Sequence, residues 1–300
     1  MKLFSRILRR QIKHFSYFVY YKIHRTSFYK NYINQSKIKK ISKALLSRTL
    51  GDSFDQVHTI FIETLTACNL RCSYCPNSVF DRGLIKNNQE MDLALFYNII
   101  NELNELNWVG EIQPHSYGEP LLDNRIVELC TYIKQKLPST KINIFSNGEL
   151  FNIDIYKKLV RAGVDIFSVT QHLEKEAAGT LEVIEYRKKN GDDDVIFNYN
   201  KLKNINSRAG LIKVKAGKQR MECNWPDHHV GISYDGEIMI CCNDYLNEVK
   251  VGNVKNEKLI DIWQKPAYKK IRDDISSGDL GLNICENCTD GKVFDYSTKV

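Results

Sequence analysis

Glu63-Thr-Leu-Thr-Ala-Cys-Asn-Leu-Arg-Cys-Ser-Tyr-Cys-Pro76 follows directly on a short β-like run, Val57 to Glu63, and spaces three cysteines as Cys-x3-Cys-x2-Cys. Cys68, Cys72 and Cys75 therefore share one loop at the end of a strand. Three thiolates can hold three irons of a four-iron cubane, and the missing fourth protein ligand leaves one iron open to a chelating molecule. A zinc loop is the alternative, but closed zinc sites take four ligands and no fourth cysteine or histidine lies near the triplet.

Beyond residue 56 the chain alternates short β-branched runs with longer amphipathic stretches. Strands are expected over Val57 to Glu63, Gly110 to Pro114, Lys141 to Phe145, Val164 to Thr170 and Val195 to Asn198. Helices are expected over Asp92 to Leu106, Asn124 to Lys136, Ile153 to Ala162 and Leu173 to Lys189. Such repetition implies a parallel sheet in an α/β fold. A complete eight-stranded barrel takes about 250 residues, whereas the segment from 57 to about 215 has room for five or six units, so a partial, open TIM-like βα barrel follows. Chemistry in α/β folds gathers at the carboxyl ends of strands, which directs attention to Gly118-Glu119-Pro120, Ser146-Asn147-Gly148, and the strand that presents Ser168, Thr170 and His172 on one face.

A second cysteine group lies downstream. Cys223 is followed after seventeen residues by Cys241, and Cys285 and Cys288 form a Cys-x2-Cys near the end. Four such ligands close either a zinc site or a second four-iron cluster, and spacing alone does not separate the two. Between them, Val230 to Ile240 alternates around Asp235-Gly236 as a β-hairpin does, and Lys258 to Ile275 has helical periodicity. Cys242 is an alternative to Cys241, Cys130 reads as a buried core thiol, and His228 and His229 read as surface or substrate-facing residues.

The triplet with Tyr74 before its third cysteine resembles the radical S-adenosylmethionine (SAM) superfamily, in which the open iron chelates SAM. Gly118-Glu119-Pro120 resembles that family's glycine-glutamate motif, and Ser146-Asn147-Gly148 its Thr-Asn-Gly turn. Asn206-Ser-Arg-Ala-Gly210 is similar to the Asn-Arg-Gly-Gly segment of members with an extra cluster domain, with Ser207 inserted and Ala209 in place of a glycine. The hairpin, helix and Cys-x2-Cys resemble the SPASM and twitch extensions. Four cysteines rather than seven match the twitch form with one auxiliary cluster.

The resemblance implies a SAM-binding [4Fe-4S] cluster on Cys68, Cys72 and Cys75, and an auxiliary [4Fe-4S] cluster on Cys223, Cys241, Cys285 and Cys288. It implies SAM contacts from Tyr74, Gly118, Glu119, Pro120, Ser146, Asn147, Ser168 and Arg208, and makes His172 a candidate catalytic base. An electron donor such as flavodoxin or ferredoxin is implied with it. An auxiliary cluster ligated only by protein can accept an electron from a substrate radical, so the expected activity is oxidation of a hydroxyl on a small polar substrate, a sugar or cyclitol derivative. The alternatives are a peptide maturase, a redox-neutral epimerase with Cys242 or Cys130 as hydrogen donor, and a zinc-binding scaffold without turnover.

Charge divides the chain. Of 43 Lys and Arg, thirteen lie within residues 1–50, which hold no Asp or Glu, leaving 30 basic against 36 acidic side chains in the remainder. A mildly acidic body argues against a nucleic-acid enzyme built around one positive groove. Residues 1–50 interleave these charges with aromatic residues, and the run Phe15 to Tyr21 is far shorter than the roughly 20 residues of a spanning helix. This arm reads equally as a helix lying through residues 1–33 on an anionic membrane surface or as one clamped against the body. Cysteines in tight metal-like spacings, without a cleavable secretory signal, suggest a reducing cytoplasm. Three regions are expected: the arm over 1–50, the partial barrel over 51–215 and a small hairpin and helix auxiliary-cluster domain over 216–300.

Overall fold

A computed structural model describes residues 54–202, 205–213 and 223–288; the basic arm lies outside the described residues. β1 (Thr59–Ile62), β2 (Glu111–Gln113), β3 (Lys141–Ser146), β4 (Ile166–Gln171) and β5 (Ile196–Lys201) alternate with α1 (Leu93–Glu105), α2 (Ile126–Lys136), α3 (Ile153–Arg161) and α4 (Ala178–Asn190). Then come α5 (Trp225–His228), β6 (His229–Ile232), β7 (Ile238–Met239), α6 (Leu259–Gln264), α7 (Pro266–Ser277) and α8 (Asn283–Glu286). The strands form one open sheet in the order β5-β4-β3-β2-β1-β6-β7, parallel from β5 to β6 and antiparallel at β7. This is the partial βα barrel that the alternation implies.

Period-two patterning decides which way each strand faces. Ile60, Ile62, Ile112, Ile142, Ile144, Phe167 and Val169 are buried in a single core with Leu95, Ile99 and Leu103 of α1 and with Leu129 and Ile133 of α2. On β4 the opposite residues Ser168 and Thr170 are only half-buried. Helix starts follow local capping chemistry. Asp92 accepts from Leu95 N at 3.1 Å and Asn152 from Ile155 N at 2.9 Å, which fixes α1 and α3 where they begin.

The sequence reading needs three corrections. The helix expected from Leu173 begins only at Ala178, because the buried Gln171 amide donates to the carbonyls of Leu173 (2.9 Å) and Glu174 (3.0 Å) and holds that stretch as a loop. The helix expected over Lys258 to Ile275 is two helices. Lys265, preceding Pro266, sits at φ −55°, ψ 129°, the extended conformation that proline imposes on its predecessor. His229 is buried rather than on the surface, its ring stacked on Trp225 at 4.5 Å.

The hairpin around Asp235-Gly236 forms, but it also continues the barrel sheet: β6 pairs in parallel with β1, Phe61 opposite Gly231. A Cβ on Gly231 would come within 2.1 Å of the Phe61 ring, so only glycine lets these strands lie side by side.

Candidate functional site

The loop leaving β1 is pinned on both sides of its cysteines. Cys68 N donates to Gly83 O at 3.0 Å, and a tight turn carries Cys75 N to Cys72 O at 2.8 Å. All three thiols are partly buried and free of disulfides. Cys68 Sγ accepts from Leu70 N at 3.4 Å and meets Asn147 Nδ2 at 3.8 Å. Burial pushes its thiol up to about 11, so taking a metal means displacing a proton.

Gly118-Glu119-Pro120 stands directly against this loop. Glu119 N donates to Ala67 O at 2.8 Å, and a Cβ on Gly118 would lie 2.3 Å from Leu65 O. The close approach excludes any side chain there. The Glu119 carboxylate is buried and accepts from Ser146 Oγ (2.8 Å), Leu121 N (3.1 Å) and Asn147 N (2.8 Å). Desolvation raises its pKa to about 7 against the pull of these donors. Ser146 and Asn147 thus support Glu119, and Asn147 reaches onward through Nδ2 to Asn69 Oδ1 at 2.8 Å. Three motifs that are separate in sequence are one hydrogen-bonded unit.

At the mouth, Tyr74 Oη and His172 Nδ1 are hydrogen-bonded at 2.7 Å with their rings stacked. Burial, and then the charge of Arg208, lower the His172 pKa and keep the imidazole neutral. Arg208 is in a left-handed turn, φ 48°, continued by Ala209 at 55° and Gly210 at 88°. Its guanidinium lies 5.8 Å from the Tyr117 ring centre and 3.4 Å from Asn243 Oδ1.

The second cysteine group borders the same region. Cys223, Cys241 and Cys242 pack on Phe61, Trp225 and Met239. Asn243 ties two of the predicted ligands together, donating from its backbone N to Cys241 Sγ (3.4 Å) and from Nδ2 toward Cys288 Sγ (3.9 Å). The Cys241 thiol is held protonated by a hydrogen bond with Cys242 and by burial. Ser207 Oγ donates to Asn287 O at 2.7 Å and so docks the Asn206 to Gly210 turn onto the Cys-x2-Cys helix. Cys130 is fully buried in α2.

Sequence reading missed Asn69, Asn77, Tyr117 and Asn243. Asn69 and Asn243 follow a cysteine directly, which is the one local sign they give; the partners of Asn77 and Tyr117 lie far along the chain. By residue type the donor set suits two iron–sulfur groups. Three thiols share one loop with a glycine-backed carboxylate against it, and Asn243 links two of the further cysteines.

Residues 62–213 match the radical SAM superfamily, and residues 223–289 match SPASM, an iron-sulfur cluster-binding domain. The S-adenosyl-L-methionine-dependent 2-deoxy-scyllo-inosamine dehydrogenase of Niallia circulans is 27% identical over 247 residues, which are 79% of this chain and 96% of that protein. The tungsten-containing aldehyde ferredoxin oxidoreductase cofactor-modifying protein of Pyrococcus furiosus is 26% identical over 107 residues, 36% of this chain and 28% of that protein. Among solved structures, BtrN in complex with AdoMet and 2-DOIA superposes with a TM-score of 0.70 at 26% identity, covering 80% of this chain and 98% of that one. A structure of anSMEcpe with bound AdoMet, at 12% identity and a TM-score of 0.51 over 77% of this chain and 88% of that one, shares the fold. The first matched domain binds SAM and a [4Fe-4S] cluster, and the second binds auxiliary iron–sulfur clusters. The chain is a member of the radical SAM superfamily with a C-terminal SPASM domain.

Proposed function

We propose that the protein is a radical SAM dehydrogenase that oxidises a hydroxyl of a sugar or cyclitol to a ketone. The observation that carries this reading is similarity along 96% of the length of a 2-deoxy-scyllo-inosamine dehydrogenase, in a chain whose second cysteine group is hydrogen-bonded to the loop of the first through Tyr117 and Asn77. When bound, the first cluster with SAM would supply hydrogen-abstracting radical chemistry, and the second cluster would supply an electron acceptor.

Each residue then has a task. Cys68, Cys72 and Cys75 hold the first cluster; Cys223, Cys241, Cys285 and Cys288 hold the second. Glu119 keeps one acceptor position beyond its three present donors for the ammonium of SAM, Gly118 admits the ligand to the backbone, and Pro120 fixes the turn. Ser146 and Asn147 orient Glu119. Tyr74 and Ser168 flank the bound SAM, and Arg208 counters its carboxylate. Neutral His172 takes the hydroxyl proton as general base. A flavodoxin- or ferredoxin-type protein supplies the reducing electron.

The test is substrate deuterated at the carbinol carbon, with 2-deoxy-scyllo-inosamine first in the panel. Deuterium should enter 5'-deoxyadenosine, with one SAM consumed per ketone. The double variant Cys285→Ala/Cys288→Ala should lose ketone formation more than SAM cleavage. A redox-neutral product formed without the second cluster would refute the dehydrogenase and identify an epimerase.

A further inference from the structure

The two cysteine groups are joined by a partly buried hydrogen-bonded clamp. Asn77, two residues after Cys75, donates from Nδ2 to Tyr117 O at 3.0 Å and accepts at Oδ1 from Tyr245 Oη at 2.9 Å. Tyr117 in turn donates its hydroxyl to Cys242 O at 2.6 Å, and the two tyrosine rings meet edge to face at 4.7 Å. Asn77 is buried against Gly83, where a Cβ would lie 2.2 Å from its side-chain carbon. A second brace runs alongside: Arg82 bonds to the buried Glu63 carboxylate at the end of β1 and donates to Tyr245 O at 2.9 Å. Apart from Glu63 at the end of β1, every member comes from the loop after Cys75, the turn before Gly118 or the segment after Cys241.

From this geometry we propose that Tyr117 is a positioning residue: it fixes the Cys241–Asn243 turn against the first cysteine loop and sets the electrostatic environment of the metal that Cys241 holds. The proposal rests on the cluster assignment above. Burial raises the Tyr117 pKa, so its hydroxyl remains a donor across the working pH range. Its proton end points toward the second cysteine group, where a donor dipole favours the more negatively charged, reduced state. A clamp of this kind keeps the electron-accepting group poised and at a constant separation from the site of hydrogen abstraction.

Tyr117→Phe removes only the hydroxyl. The holoenzyme variant should keep full iron content and unchanged SAM cleavage without substrate. The midpoint potential of the second cluster, followed by electron paramagnetic resonance, should become more negative. Ketone formed per SAM consumed should fall roughly fivefold, the worth of one neutral hydrogen bond. Selective loss of the second cluster's iron would show that the hydroxyl is needed to retain the cluster and would overturn the electrostatic role. An unchanged potential and an unchanged ratio would overturn it. If Tyr117→Phe fails to fold, 3-fluorotyrosine at position 117, a stronger hydroxyl donor to Cys242 O, should make the potential less negative, and an unchanged potential overturns the proposal. The assignment of the clusters is tested separately by the iron lost in the cysteine variants, so the two ideas fail independently.

Discussion

Single residues carry much of the strain and proton chemistry in this protein. Ala209 occupies a left-handed conformation at φ 55°, which costs a residue with a Cβ about 1–2 kcal/mol. Ala209→Gly relieves this while loosening the unfolded chain by about 0.5–1 kcal/mol, so the urea midpoint should rise by an amount worth about 0.5–1 kcal/mol. Desolvation raises the Glu119 pKa to about 7, so in the proposed role the carboxylate that would accept the SAM ammonium is a minority species at pH 6 and dominant at pH 8. SAM affinity, measured by equilibrium dialysis, should therefore rise about tenfold over that interval and stay flat in Glu119→Gln. The buried His229 imidazole has its pKa lowered from 6.5 to about 4. Between those values the unfolded state binds the extra proton, so this group costs stability progressively as pH falls below 6.5. Stability curves of His229→Gln and wild type should converge by about 2 kcal/mol between pH 6.5 and 5.

Elements were legible where their signals were local. The cysteine triplet, Gly118-Glu119-Pro120 and Ser146-Asn147-Gly148 each lie at the end of a strand marked by its own period-two pattern, so both the βα barrel and the motifs at its mouth follow from short windows of sequence. What stayed hidden depends on partners far along the chain. Tyr117 meets Cys242 across 125 residues, and β6 finds β1 after about 170, separations over which sequence spacing has no bearing on contact. The break at Pro266 was readable from the proline itself, whereas the late start of α4 depended on a Gln171 side chain turned toward its own loop. The β1–β6 seam supplies its own test. Gly231→Ala forces a methyl into the Phe61 ring and should destabilise the protein by about 1–3 kcal/mol in thermal or urea unfolding. Phe61→Ala combined with it should recover part of that loss, since the clash disappears even as a cavity opens.

For the whole molecule, two cubane sites predict about eight irons per chain after anaerobic reconstitution, and replacing Cys68, Cys72 and Cys75 with Ala should remove about half of the iron and all SAM cleavage. Zinc at the second site would refute the electron-accepting role. The thirteen positive charges of residues 1–50 should carry the protein onto anionic lipid vesicles in low salt and release it as salt rises. Equal sedimentation with neutral vesicles would rule out electrostatic attachment. The position of β6 also has a consequence for biosynthesis. β1 lies inside the sheet between β2 and β6, yet its second neighbour leaves the ribosome only some 170 residues after it. At about 5–20 residues per second, the growing chain displays an unpaired strand edge next to three unligated thiols for roughly ten seconds or more. Nascent chains stalled before residue 229 should therefore be prone to aggregation and thiol oxidation, and a version truncated after the barrel would keep that edge exposed for its whole life.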